Sequence, residues 1–157
     1  MLSTPDKQEM LAQHQFLSGL KPEWIEQIAA ITESATYHAK DHIFHTGESA
    51  DRLFLVRDGL VSLELYEPSR GAILLDSLGA NKPLGWSWLV PPYKWTFDAQ
   101  ARVLTRVLEV DAAGLRALME QDCGLGYALL LRFTTLFAQR LEAARLQLLD
   151  MYGPGKK

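Results

Sequence analysis

Apolar positions recur along this chain in three rhythms. From Pro22 to about Thr32, Trp24, Ile25, Ile28, Ala29 and Ile31 share one face at helical spacing. Pro22 suits a first helical turn, and Glu23 and Glu26 suit the positive end of a helix dipole. Met10, Leu11 and His14 predict a shorter helix before it, closed by Phe16-Leu17-Ser18-Gly19-Leu20. From Thr36 to Asp111 the runs shorten to HIF (42–44), RLFLV (52–56), LVSLELY (60–66), AILLDSL (72–78) and TRVLEV (105–110). Gly47, Gly59 and Gly71 punctuate them at intervals of twelve residues. Asp58-Gly59 and Ser69-Arg70-Gly71 carry hairpin-tip chemistry. Short, evenly spaced strands of this kind predict a sandwich, jelly roll or barrel.

After Val110 the helical rhythm returns. Asp111 can cap a short helix from Ala112 to about Gln121, which Cys123-Gly124-Leu125-Gly126 should break. A long helix is then expected from about Tyr127 to Asp150, with a stop at Tyr152-Gly153-Pro154-Gly155. It bears two apolar stripes. Leu129, Phe133 and Leu136 form one; Leu130, Phe137, Leu141, Ala144, Leu148 and Met151 form the other. One stripe can cover the domain's own sheet, and the second predicts a coiled-coil-like homodimer seam through Leu130, Phe137, Leu141, Ala144 and Leu148. A single wide buried face on a monomer is the alternative. The resulting plan is one domain over 1–157, with N-terminal helices in 1–35, a β-roll in 36–111 and C-terminal helices in 112–152.

One stretch fits none of the rhythms. Gly85-Trp86-Ser87-Trp88-Leu89-Val90-Pro91-Pro92-Tyr93-Lys94-Trp95 holds three of the chain's four tryptophans. Its Pro-Pro step excludes a helix interior or a central strand, so it is a loop with a heavy aromatic load, either core or binding surface.

Composition narrows the function classes. Hydrophobic residues are 48% and charged residues 22% of the 157, ordinary values for a soluble globular domain. The net charge of −3 makes no general electrostatic bid for nucleic acid. Residues 1–101 carry 8 Lys/Arg and 13 Asp/Glu, and residues 102–157 carry 8 and 6, a mild asymmetry. The one cysteine, Cys123, cannot form an internal disulfide or a thiolate metal set, so a reducing, cytoplasmic setting is expected. The N-terminus lacks the pattern of a signal peptide, and no apolar run reaches the roughly 18 residues that span a bilayer. There is no Ser/His/Asp triad pattern, G-x-S-x-G or P-loop. His38, His42 and His45 raise the possibility of a cupin-like metalloenzyme, but His42 and His45 should face opposite sides of one strand.

The order of helices, glycine-punctuated β-roll, short helix and long helix resembles the cyclic-nucleotide-binding domain, as in effector domains like those of the catabolite activator protein and the fumarate-nitrate regulator. Several stretches carry the resemblance. Phe16-Leu17-Ser18-Gly19-Leu20 is similar to the family's opening FLxxL. The run Ile43-Phe44-His45-Thr46-Gly47-Glu48-Ser49-Ala50-Asp51-Arg52-Leu53-Phe54 resembles IFxxGxxADxLY. Val56-Arg57-Asp58-Gly59-Leu60-Val61 resembles VxxGxV, and Leu108-Glu109-Val110-Asp111 resembles the strand leading into the penultimate helix. The resemblance covers roughly residues 14–150 and implies a mainly β fold, a double-stranded β-helix or jelly-roll-like β-roll, with N-terminal helices and a long C-terminal helix.

It also implies a place for the tryptophan-rich loop. The family's phosphate-binding cassette has the form F-G-E-x-[AS]-L, then a few residues, then R-[ST]-A. Leu84-Gly85-Trp86-Ser87-Trp88-Leu89 lies on the first half and Trp95-Thr96-Phe97 on the second. In the family, backbone N–H groups at a short helix start and the Arg hold the cyclic phosphate, and the Glu accepts from the ribose 2′-OH. Here Trp86 stands at the Glu position and Trp95 at the Arg position, with Lys94 beside it.

The expectation is therefore a non-enzymatic sensor or regulatory module with non-standard or lost cyclic nucleotide binding. Its ligand, if it has one, is cAMP, cGMP or another small anionic molecule. The expected ligand-binding residues are Gly85, Trp86, Ser87, Trp88, Lys94, Trp95, Thr96 and Arg145, with no catalytic or metal residues. Trp86 and Trp95 either line the pocket or fill it; Arg140 and Arg145 either bind an anion or form a solvated face. In family members that are transcription factors, the long helix leads into a winged helix-turn-helix. Only five residues follow Tyr152 here, so no DNA reading is expected. A ligand-free dimeric interaction module is the alternative, and a cupin-like metalloenzyme the second.

Overall fold

A computed structural model of the chain describes residues 2–152. The N-terminal region holds α1 (Thr4–Gln13), a single 3-10 turn (Gln15–Leu17) and α2 (Pro22–Ala29). Ser3 caps α1: its side chain accepts from the Asp6 N–H, and the Asp6 carboxylate accepts from the Ser3 N–H in return. Seven strands follow, and then α3 (Ala112–Gln121) and α4 (Cys123–Tyr152). The strands are β1 (Thr32–Tyr37), β2 (His42–Phe44), β3 (Arg52–Asp58), β4 (Val61–Glu67), β5 (Gly71–Leu78), β6 (Asp98–Ala101) and β7 (Thr105–Asp111). Their pairings are antiparallel and form two sheets, one in the order β1-β7-β3 and one in the order β2-β6-β4-β5. This is the expected mainly β roll with flanking helices.

The apolar runs explain how the layers meet. In β3, Leu53, Phe54, Leu55 and Val56 are all buried, and in β7 so are Val107, Leu108 and Val110. Unbroken burial means that both faces of this sheet are covered. One face looks into the roll, where Phe54 meets Phe44 and Trp95. The other is covered by helices, and α3 rests on β3 and β7. A polar clasp crosses the three strands: Tyr37 of β1 donates to the buried Glu109 of β7 at 2.6 Å, and Arg52 of β3 pairs with the same carboxylate.

Four boundaries differ from expectation. Residues 32–35 belong to β1, so the roll begins before residue 36. The strand β6, Asp98-Ala99-Gln100-Ala101, had no apolar run to announce it. Asp58-Gly59 is not a hairpin tip: β3 pairs with β7 and β4 with β5 and β6, so this turn carries the chain from one sheet to the other. The Glu67–Gly71 turn is a hairpin, as expected. The Cys123–Gly126 stretch does not delay α4 to Tyr127. Asp122 accepts from the N–H groups of Gly124 at 3.0 Å and Leu125 at 3.2 Å, and this cap starts the helix at Cys123. Asp122 also accepts from the Trp24 indole at 2.8 Å, which ties α2 to the same corner. The expected stop at Gly153-Pro154-Gly155 lies outside the described residues.

The long helix changes character midway. Leu125, Leu129 and Phe133 are fully buried, and Arg132 clamps the helix to the N-terminal turn through the carbonyls of Phe16 and Ser18. From Leu141 to Tyr152 every residue is exposed. No helix among the described residues is long and apolar enough to cross a membrane.

Candidate ligand site between the roll and the long helix

The tryptophan-rich loop leaves the roll after β5 and returns to it at β6. It runs as a succession of turns with a cis Pro91-Pro92 bond and contains no helix. Its three tryptophans have different fates. Trp88 is fully buried against Phe133 of α4, with ring centroids 5.4 Å apart. Trp95 is 3% exposed and stacks on Phe44 at 3.8 Å, its plane 8° from parallel. These two fill the core. Trp86 alone is half-buried, wedged between Phe97 of the loop and Phe137 of α4 in edge-to-face contacts at 6.3 and 4.9 Å.

Gly85 is required by this packing. Its φ of +84° is a left-handed conformation, and a Cβ there would stand 2.8 Å from Phe97 Cζ. Farther along, Arg116 of α3 holds the loop down. Its guanidinium donates to the Trp88 carbonyl and stacks over the Tyr93 ring at 4.0 Å. The Tyr93–Trp95 backbone then runs beside residues 47–50: Gly47 N–H donates to the Trp95 carbonyl at 2.7 Å, and Trp95 N–H to the Glu48 carbonyl at 2.9 Å.

A cavity of about 260 Å³ lies between this loop, the β4–β5 hairpin and α4. The hairpin contributes Leu63, Leu75 and Asp76, and the loop contributes Trp86 and Phe97. From α4 come Arg140, Ala143, Ala144 and Gln147, one helical face at spacings of three and four. The Arg140 guanidinium lies over the Trp86 ring, 5.6 Å from its centroid. Burial pulls the Arg140 pKa down, and the nearby Asp76 charge partly offsets this.

Of the eight expected ligand residues, then, only Trp86 lines this cavity. Gly85 shapes the loop, and Ser87 and Trp88 are buried beneath it. Lys94 and Thr96 point to solvent, so Lys94 does not stand in for an arginine in the cavity. Trp95 occupies the core. Arg145 is exposed and pairs with Glu142 at 3.7 Å; Arg140 is the arginine that α4 delivers to the cavity. The expected seam also divides: Phe137 packs on Trp86, and Ala144, itself exposed, lines the cavity, while Leu130, Leu141 and Leu148 are exposed and do not line it. Arg140 was one of two arginines the sequence offered for an anion; Ala143, Ala144 and Gln147 were not read as lining, although they repeat with it at helical spacing.

Two other groupings resolve differently. A hollow of about 460 Å³ behind Trp95 holds Glu48, Asp51, Asp111, Arg52 and Arg116. Its charged groups are largely committed: Arg52 to Glu109, Arg116 to the loop, and Asp111 to the Gly114 N–H that opens α3. His42 and His45 do not face opposite sides of a strand. The register breaks between His42 and Phe44, the strand ends there, and the two imidazoles stack at 4.4 Å. Among the described residues no three His, Cys, Asp or Glu side chains converge on a metal position.

Comparison with known proteins places this architecture. The chain aligns over 90% of its length, and over 99% of the other, with a candidate cyclic nucleotide-binding protein from Geobacter metallireducens GS-15, at 29% identity and a TM-score of 0.76. The sensor domain of the transcriptional regulator DNR from Pseudomonas aeruginosa shares the fold at 18% identity and a TM-score of 0.73, with coverage of 88% and 93%. So does a cyclic nucleotide-binding domain from Methylobacillus flagellatus KT, at 17% identity and a TM-score of 0.70, with coverage of 98% and 84%. Among curated proteins none matches significantly. The family model described as the cyclic nucleotide-binding domain matches residues 34–122, which is more than half of the chain. This protein is a member of the cyclic nucleotide-binding domain family.

Proposed function

We propose that the protein is a non-enzymatic, cytoplasmic regulatory module. A small ligand between the roll and α4 biases the position of α4, and the pocket is no longer built for a cyclic phosphate. One observation carries this reading: Trp86 and Arg140 meet across the cavity, one from the roll and one from α4. A ligand that enters there must touch both bodies, so its binding energy can differ between two positions of the helix.

The loss of cyclic phosphate binding rests on the loop. It has no helix start to aim N–H groups at an anion. The position that resembles the family's Arg is the buried Trp95. Calorimetric titration with cAMP and cGMP, with Trp fluorescence in parallel, tests this. No saturable binding at micromolar concentration is expected. One-to-one micromolar binding would overturn it.

The exposed half of α4 supports an output surface. Leu141, Leu148, Met151 and Tyr152 are 55–79% exposed along the last turns of α4. Homodimerisation through this segment, with Leu130, is the proposed assembly. If the cavity takes no ligand, the same surface supports the second reading, a ligand-free dimeric interaction module.

A further inference from the structure

Arg140 is the unmatched charge of the cavity. One of its terminal nitrogens is fully buried and has no hydrogen-bond partner among the described residues. A buried guanidinium nitrogen without an acceptor is costly, and an incoming anion removes that cost. Asp76 does not supply the match. It is exposed on β5, and its carboxylate accepts from the neighbouring Ser77 N–H at 2.8 Å.

The other walls restrict what the anion can be. At about 260 Å³ the cavity has room for roughly nine water molecules and lies below the usual range for drug-sized ligands. Its sides are the Trp86 and Phe97 rings with Leu63, which favour a flat apolar body. Gln147 adds a neutral amide. Arg140 is the one cation on the lining, and Asp76 is a fixed negative charge on the same lining, so a dianion such as a phosphate monoester meets repulsion with no second cation to offset it. A carboxylate has one charge and matches the guanidinium fork.

We infer that this cavity binds a small aromatic monocarboxylate, with its carboxylate on Arg140 and its ring against Trp86 and Phe97. The inference rests on the proposal that a ligand enters between the roll and α4, and it names the chemical class of that ligand. A monoanion held in this way bridges the loop to the middle of α4.

The test is calorimetry on the full chain with benzoate and phenylacetate, each against its neutral amide. Saturable one-site binding of the acids is expected, with the amides weaker by about tenfold or more. Arg140→Gln should erase the preference, and Arg140→Lys should keep part of it. Arg140→Gln removes a buried unmatched cation, so its melting curve should not fall below that of the parent and serves as the folding control. Equal binding of acid and amide, an unchanged preference in Arg140→Gln, or no saturation by either acid overturns the inference. Failure of the acids alongside saturable cyclic nucleotide binding sinks the carboxylate assignment and leaves a sensor of the ordinary kind. Carboxylate binding without any change in hydrogen exchange along α4 does the reverse.

Discussion

Trp95 lies flat on Phe44, with ring centroids 3.8 Å apart, where the family resemblance places a phosphate-binding arginine. Phe54 and Phe97 close around the pair at 6.1 and 6.3 Å from Trp95. The position therefore belongs to the core, and the side chain cannot be exchanged for a charged one without unmaking that cluster. Trp95→Arg should lower stability by about 3 kcal/mol or more, because it removes a buried indole and strands a cation among aromatic rings. Urea denaturation followed by far-UV circular dichroism measures this. The same variant should not gain cAMP binding. A variant that stays stable and binds cAMP would show that the loop can still open into the family's cassette.

Gly59 makes a sharper stability prediction. The turn between β3 and β4 has φ +108° at this residue, and an added Cβ would collide with Thr105 Oγ1 and come within 2.6 Å of Thr105 Cα and 2.8 Å of the Leu104 carbonyl oxygen. Gly47 has a similar φ of +88° but open space around the Cβ position. Gly47→Ala should therefore cost about 1 kcal/mol, the backbone term alone. Gly59→Ala should cost at least about 2 kcal/mol more, since backbone must move to admit it. Parallel thermal melts of the two variants decide whether steric contact or conformation dominates.

These two positions also show what was legible in the sequence. The left-handed turn at Asp58-Gly59 was local chemistry and could be read. The pairing on either side was not all local: β3 takes β7, far along the chain, and β4 takes the distant β6 as well as its hairpin neighbour β5. The strands β1 and β6, TESATY and DAQA, have little Val, Ile or aromatic content and are held in place by β7 and by β2 and β4. Ala99 and Ala101 are wholly buried because large neighbours already fill the roll, a fact about volume that no residue pattern reports. The loop's place as the site's wall was legible through its motif. Which of its tryptophans would face the cavity was not, since that depends on Phe44 and Phe137 arriving from opposite sides. Arg145 and Arg140 differ by five residues, roughly 140° around the helix, and only the docking of α4 decides between them.

His14 should give the stability a pH dependence. The residue is 3% exposed, and Nε2 donates to the Val56 carbonyl at 2.8 Å, leaving Nδ1 buried without a partner among the described residues. Burial is the main force lowering its pKa below 6.5; the Val56 bond opposes this, and the nearby Arg57 charge adds to it. The folded state thus binds the proton more weakly than the unfolded chain. Above pH 6.5 both states are neutral and the contribution is constant. As pH falls from 6.5 through the folded pKa, the unfolded state takes up its proton first and stability declines. Urea midpoints at pH 8 and pH 5 should differ more in the parent than in His14→Gln, which has no proton to bind there. Equal pH slopes in the two proteins would remove His14 as the source.

The two sides of α4 should respond to mutation in opposite ways. Phe137 packs on Trp86 at 4.9 Å and on Phe133 at 6.1 Å, so it belongs to the domain's own fold. Leu141 and Leu148 are 63% and 55% exposed and contribute little to a single chain. Phe137→Ala should therefore cost about 2 kcal/mol of unfolding stability through lost burial. It should also release Trp86, visible as a shift in its fluorescence. The double variant Leu141→Glu with Leu148→Glu should change the monomer's stability by no more than about 0.5 kcal/mol. If copies associate through this face, the same variant should shift the sedimentation coefficient to that of a monomer, because each pair would bring like charges together across the seam. A parent protein that sediments as a monomer at all concentrations would remove the seam altogether. The twelve exposed residues from Leu141 to Tyr152, roughly 18 Å of helix, would then need a different partner to cover them. A dimer that survives both glutamates would place the interface elsewhere. The hairpin with Leu65, Tyr66, Leu74 and Leu75, all 41–66% exposed, would then be the next surface to mutate.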